Sequence, residues 1–171
     1  MGCTRSRGPR GFQCLVVRRG PVNPDVIRFG SMHPLREYPP DEYRLEGRIF
    51  RDVLARMLRT FFSDVKLQTG TYRYRGFLWH AYTFGYQTAL TTTDAKAAFD
   101  DCNDTELYVH DEQFDMLWLC PREITLSDTH PCNDTYIFPA TYDWLYITTH
   151  ENARGVGPFF IRNTSGTQYD G

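Results

Sequence analysis

Glu106-Leu107-Tyr108-Val109-His110 and Phe114-Asp115-Met116-Leu117-Trp118-Leu119 are two short apolar-rich runs separated by the polar triplet Asp111-Glu112-Gln113. Runs this short, rich in aromatic and branched side chains and bounded by turn-forming residues, read as β-strands rather than helices. Three more of the same kind follow at 135–138, 144–149 and 159–161, the last after the turn Gly155-Val156-Gly157-Pro158. Parallel neighbours would need crossovers of a dozen or more residues, usually helical, and nothing helical separates these runs. They are therefore expected to pair as an antiparallel meander.

Upstream the period changes. Leu45, Ile49, Val53, Met57 and Phe61 recur every four residues, joined by Leu54, Leu58 and Phe62 in one apolar stripe. That spacing predicts a long amphipathic helix, capped by Asp41 after Pro39-Pro40, with Glu42 in its first turn. Arg44, Arg48, Arg51, Arg56 and Arg59 fill the remaining surface, with Glu46 and Asp52 among them, as on a solvated outer face. A shorter helix is expected over 94–101, with Ala95, Ala98 and Phe99 turned inward and cap candidates at Thr91-Thr92-Thr93-Asp94. Between the helices, Tyr72, Tyr74, Phe77, Trp79, Ala81 and Tyr82 are read as one or two strands ending near Phe84-Gly85. The expected fold is α+β: a mainly antiparallel sheet of about five or six strands, with one long and one short helix packed on one face. The domain is placed at 41–162, between a basic Gly/Pro-rich flexible arm (1–40) and a flexible tail (163–171). Trp79 and Trp144, inside strand-like patterns, are expected in the core.

A chain of 171 residues with 41% hydrophobic and 23% charged residues has the composition of one ordinary globular domain. Its longest apolar run, Met116 to Cys120, is far short of the roughly 20 residues a spanning helix needs. The basic start leads only into Leu15-Val16-Val17, so no secretory signal is read and the expected compartment is the cytoplasm. There the five cysteines stay reduced, and the sequons at Asn103, Asn133 and Asn163 stay unmodified. Met1-Gly2-Cys3-Thr4-Arg5-Ser6 fits an acylation pattern, so membrane attachment is expected only if Gly2 and Cys3 carry lipid.

Charge is sharply divided although the net is only −2. Residues 1–90 hold 15 Lys and Arg against 7 Asp and Glu, a net of +8; residues 91–151 hold 2 against 13, a net of −11. Such asymmetry speaks to partners and solubility rather than to fold.

Two blocks carry a resemblance. Phe77-Leu78-Trp79-His80, followed by Asp94-Ala95-Lys96-Ala97-Ala98-Phe99, resembles an "F-x-W-H … A-x-x-A-F" block. Trp144-Leu145-Tyr146-Ile147-Thr148-Thr149-His150-Glu151, then Gly157-Pro158-Phe159-Phe160, resembles "W-T-Y-x-x-T-H-E … G-P-Y-F". Both are similar to the blocks of the small bacterial family called domain of unknown function 4275, over about residues 45–162. Leu145 and Phe159 depart from it, where Thr and Tyr are expected. The resemblance implies a fold and a bacterial origin, and carries no activity.

His80, His150 and Glu151 form the catalytic candidate, because two imidazoles and a carboxylate can serve as acid and base or bind a metal. Adjacent strand residues face opposite ways, so His150 and Glu151 share a site only where the strand ends or bulges. The plainer reading packs His80 beside Trp79, donating to a backbone carbonyl. Cys102, Cys120, His130 and Cys132 have zinc-ligand chemistry but no zinc-site spacing, so they are read as incidental thiols. No phosphate-binding glycine loop, dinucleotide fingerprint, zincin helix or nucleophile elbow occurs, and no cofactor or metal is expected. Nucleic acid is not expected either, since the basic residues lie apart from the aromatic runs.

The function expected first is therefore a non-catalytic binding protein, acting as immunity proteins do on nuclease toxins. Asp100, Asp101, Asp111 and Glu112, in turn-like segments with Asp104 and Asp128, would form a negative rim for a basic protein partner. The alternatives are a small metal-dependent or acid–base enzyme using His80, His150 and Glu151, and an acylated membrane-tethered adaptor. Oligomeric state is left open.

Overall fold

The computed structural model describes residues 38–123 and 134–163. The expectations for residues 1–37 of the arm with its acylation pattern, for residues 164–171 of the tail, and for Asp128, His130 and Cys132 lie outside the described residues. Chain order is β1 (Arg44–Leu45), α1 (Gly47–Phe61), α2 (Ser63–Thr69), α3 (His80–Thr83), β2 (Leu90–Thr91), α4 (Thr92–Asp100), β3 (Glu106–Asp111), β4 (Met116–Pro121), β5 (Thr135–Phe138), β6 (Trp144–Thr148) and β7 (Phe159–Arg162). Short 3-10 turns at Asp41–Tyr43 and Asn152–Arg154 complete it.

The seven strands form one antiparallel sheet in the order β1-β4-β3-β5-β6-β7-β2. The five strands legible in the sequence form its middle. The two extra strands are two-residue edges, too short to carry a periodic signal. A plain meander holds only from β5 to β7. β5 pairs with β3 rather than with β4, so the β3–β4 hairpin is turned outward and β1 covers β4.

The helices lie on both faces of the sheet, not on one. Leu117, Tyr136, Leu145 and Ile147 point to one side, where they meet Met57 and Phe61 of α1, Val65 of α2 and Ala81 and Tyr82 of α3. Trp144, Tyr146 and Phe160 point to the other and meet Ala95 and Phe99 of α4. Strand side chains alternate between faces, and every residue of β6 is buried, so both sides of that strand are covered. An unbroken apolar run such as Trp144-Leu145-Tyr146-Ile147 is the mark of a two-sided strand. Trp79 and Trp144 are both buried.

The expected long helix starts later than its periodicity. Gly47 has φ +62°, a left-handed conformation that a right-handed helix does not continue through. Leu45 consequently belongs to β1, paired with Leu117, and Asp41 sits in a separate turn instead of capping α1. Val53, Met57 and Phe61 are buried as the stripe requires, whereas Ile49 is exposed. Arg48, Arg51, Arg56 and Arg59 face solvent as expected.

The aromatic stretch after Gly70 contains no strand. Tyr74 and Phe77 form a single bridge across Arg75 (φ +50°) and Gly76 (φ +99°), a two-residue turn, and the chain then winds into α3. Leu78, Trp79, Ala81 and Tyr82 are the buried positions, which is helical spacing. Aromatic composition favoured a strand there, and the spacing of the buried residues overrode it. Among the described residues no helix is long and apolar enough to cross a membrane.

Candidate functional site

Three strand ends converge at one end of the sheet: the end of β3, the start of β5 and the end of β6. The antiparallel register sets Thr135 opposite Thr148. Asp134 therefore comes beside the residues that follow β6. Its buried carboxylate accepts the backbone N–H of His150 at 3.1 Å. It also accepts the imidazole Nδ1–H, at 2.9 Å to Oδ1 and 3.1 Å to Oδ2. A carboxylate on Nδ1 fixes the tautomer of a neutral ring, leaving the Nε2 lone pair as the proton acceptor. Nε2 lies 4.0 Å from Glu151 Oε1, and both side chains are about one-third exposed.

β6 ends at Thr148, so the strand alternation that would separate His150 from Glu151 no longer applies. The following turn is held by Thr149, whose hydroxyl donates to the Val156 carbonyl (2.7 Å) and accepts the Glu151 N–H (3.2 Å). Asn152 Oδ1 accepts the Thr149 N–H at 3.2 Å. Arg154 approaches Glu151 at 3.7 Å.

His80 opens α3 and donates its Nδ1–H to the Tyr74 carbonyl at 2.8 Å. Its ring lies 4.2 Å from Trp79 and 5.3 Å from Phe77, centroid to centroid. The His150 ring lies 5.8 and 5.3 Å from the same two rings. The two histidines named from the sequence thus share one aromatic wall, the stacked Phe77–Trp79 pair. His80 packs and bonds as its plainer reading holds, while His150 alone has a carboxylate behind it. Among the described residues no three His, Cys, Asp or Glu side chains are placed to hold a metal ion.

The four acidic rim residues separate into two pairs. Asp100 and Asp101 are exposed at the end of α4, with Asp100 bonded to Lys96 at 2.9 Å. Asp111 and Glu112 do not reach solvent, contrary to expectation. Asp111 is buried and accepts the N–H groups of Gln113 (2.8 Å) and Phe114 (3.1 Å), closing the β3–β4 hairpin as an Asx turn does. The Glu112 side chain is 6% exposed and accepts from Arg73 Nε (2.8 Å), the Leu78 N–H (3.2 Å) and the Tyr136 hydroxyl (2.6 Å). Burial raises the Glu112 carboxyl above its ordinary range, against the opposing pull of Tyr136 and Arg73. Asp104, a fifth expected rim member, accepts the indole N–H of Trp144.

Two further groups bear on chemistry. Cys102 is half-buried, donates to the Ala98 carbonyl, and has its thiol pKa raised by burial, the reverse of what a nucleophile needs. His110 lies fully buried in β3 with Nδ1 on the Met116 carbonyl, and burial pulls its pKa down to about 4.

Asp134 is the residue that the sequence did not reveal. It stands sixteen positions from His150 and reads as the middle of a sequon. The available signal was register: pairing the runs 135–138 and 144–149 as a tight antiparallel pair brings Asp134 level with the Thr149-His150 end.

The family model described as "Domain of unknown function (DUF4275)" matches residues 52–160. No curated protein matches the chain, and no solved structure does.

Proposed function

We propose, for a chain that belongs to the domain of unknown function 4275 family, a small acid–base enzyme that works through His150. One observation carries this reading: a buried carboxylate, Asp134, holds Nδ1 of an imidazole whose other side is open to solvent. In the neutral ring Nε2 takes a proton from a substrate O–H, N–H or acidified C–H. Asp134 then stabilises the imidazolium that forms and returns the ring to the same tautomer. Glu151, beside Nε2, orients the donor group by accepting a hydrogen bond from it. Phe77 supplies an apolar surface for the rest of a small substrate. His80, bonded through Nδ1 and set on the same aromatic pair, supplies a second acceptor nitrogen. The setting is the cytoplasm expected from the sequence.

Depletion of metabolites from a bacterial extract tests this. Wild-type protein should consume at least one metabolite. His150→Gln should cut that consumption to a small residual rate, and Asp134→Asn should slow it by about 100-fold or more, with both variants folded. Equal consumption by wild type and His150→Gln would remove the reading.

A second reading, binding of a basic protein, draws on the exposure of Asp94 and Asp100 in α4, Asp101 just after it and Glu106 at the start of β3. It no longer includes Asp111 or Glu112, which are used inside the fold. Its mark is an association rate with a basic partner that falls steeply with salt and falls again in Asp100→Asn/Asp101→Asn. A rate indifferent to both changes would exclude it.

A further inference from the structure

Residues 70–79 join α2 to α3, and within them the only sheet-like pairing is the bridge Tyr74↔Phe77, which ties the stretch to itself. Yet this stretch carries Phe77 and Trp79, the wall against which His150 packs. Its polar attachment to the sheet runs through the Glu112 carboxylate and the Tyr136 hydroxyl. Glu112 follows β3 directly and accepts from Arg73 Nε at 2.8 Å and from the Leu78 N–H at 3.2 and 3.3 Å. On its other side it accepts the Tyr136 hydroxyl at 2.6 Å, and that hydroxyl oxygen in turn accepts the Trp79 N–H at 3.2 Å. Two consecutive backbone N–H groups, Leu78 and Trp79, therefore end on one network made of Glu112 and Tyr136.

We propose that Glu112 is the positioning residue of the His150 site: it fastens residues 73–79 to the end of the sheet and so sets the Phe77 and Trp79 rings against the His150 imidazole. It rests on the reading of His150 as the acting group, although its test needs no turnover. Burying a carboxylate is costly unless its acceptor sites are filled, and here donors from the segment and from β5 fill them. An apolar residue would pack there without holding the Leu78 N–H or the Arg73 side chain. Removal of the carboxylate leaves the Leu78 N–H buried and short of a partner, and that penalty falls on the segment rather than on the strands.

Nuclear magnetic resonance of the full chain, wild type against Glu112→Gln, decides the matter. Glutamine keeps the volume but offers one acceptor oxygen in place of two. The amides of Leu78 and Trp79 should then exchange at least about 10-fold faster, while those of Ile137 and Leu145 keep their rates. The ring resonances of His150 should move as the neighbouring aromatic rings shift. Arg73→Gln should give the same pattern at smaller size, and because that side chain is half-exposed it keeps the reading available if Glu112→Gln does not fold. A loss of melting temperature in which Leu78 and Trp79 exchange only in step with Ile137 and Leu145, with the His150 resonances unmoved, would overturn the proposal. If the resonances move but His150→Gln turns over substrate as fast as wild type, the positioning role of Glu112 stands and the acid–base reading falls.

Discussion

His110 shows what a titratable side chain costs when it is enclosed. It occupies a fully buried position in β3, paired across the sheet with Leu117 and Tyr136. Its Nε2 has no hydrogen-bond partner among the described residues. Desolvation lowers its pKa from 6.5 to about 4, so the ring stays neutral in the fold while the unfolded chain takes up a proton. The folded pKa lies below the unfolded one, so this contribution to stability is intact above about pH 6.5 and is lost as pH falls toward 4. The loss amounts to something on the order of 3 kcal/mol. Glu112 has the opposite sign: its raised pKa means that its contribution declines as pH rises from the ordinary carboxyl range through the raised value. Urea unfolding of wild type and His110→Leu from pH 7 to pH 4 separates the two. The wild type should lose stability relative to the variant across that window, and parallel curves would show that His110 is not what weakens the fold in acid. At this scale His80, His150 and Glu151 were legible because each stands beside a distinctive aromatic run. Asp134 was not, since its role depends on register. Nor were the inward turns of Asp111 and Glu112, because a turn composition does not say whether its side chains meet solvent or an orphaned N–H.

Among the elements, the turn after β6 holds the site, and a glycine sets its shape. Gly157 has φ +90°, and a Cβ there would lie 2.7 Å from Asn152 Oδ1, the atom that accepts the Thr149 N–H next to His150. Gly155 has φ +82° but open space around it. Gly155→Ala should therefore cost only the conformational strain, about 1–3 kcal/mol, and Gly157→Ala more than that, because the added carbon also displaces the Asn152 bond. Denaturant midpoints of the two variants check the order, and an equal or smaller loss at Gly157 would mean that the Asn152 contact does not constrain the turn. The sheet strands were readable because each is a compact apolar run with polar ends. The start of α1 and the segment around Trp79 were not, for one shared reason. Left-handed residues at Gly47, Arg75 and Gly76 change the chain direction, and neither four-residue periodicity nor aromatic content registers such a change.

For the molecule as a whole, a sheet covered on both faces leaves its strand ends as the places where polar side chains gather without breaking the core. The convergence of β3, β5 and β6 follows from the order β4-β3-β5-β6, which sequence proximity alone does not give, since β5 follows β4 in the chain but pairs with β3. The division of charge survives in part: α1 shows its arginines to solvent on one side of the sheet, and α4 shows Asp94, Asp100 and Asp101 on the other. The central claim, that Asp134 and His150 act as a single proton-transferring pair, is tested most directly by a double-mutant cycle. Its measurement is the turnover of the metabolite that wild type depletes, by His150→Gln, Asp134→Asn and the double variant. Residues that act as one unit lose their contribution once, so the double variant should be no slower than His150→Gln alone. Losses that multiply, or a His150→Gln protein as active as wild type, would contradict the account.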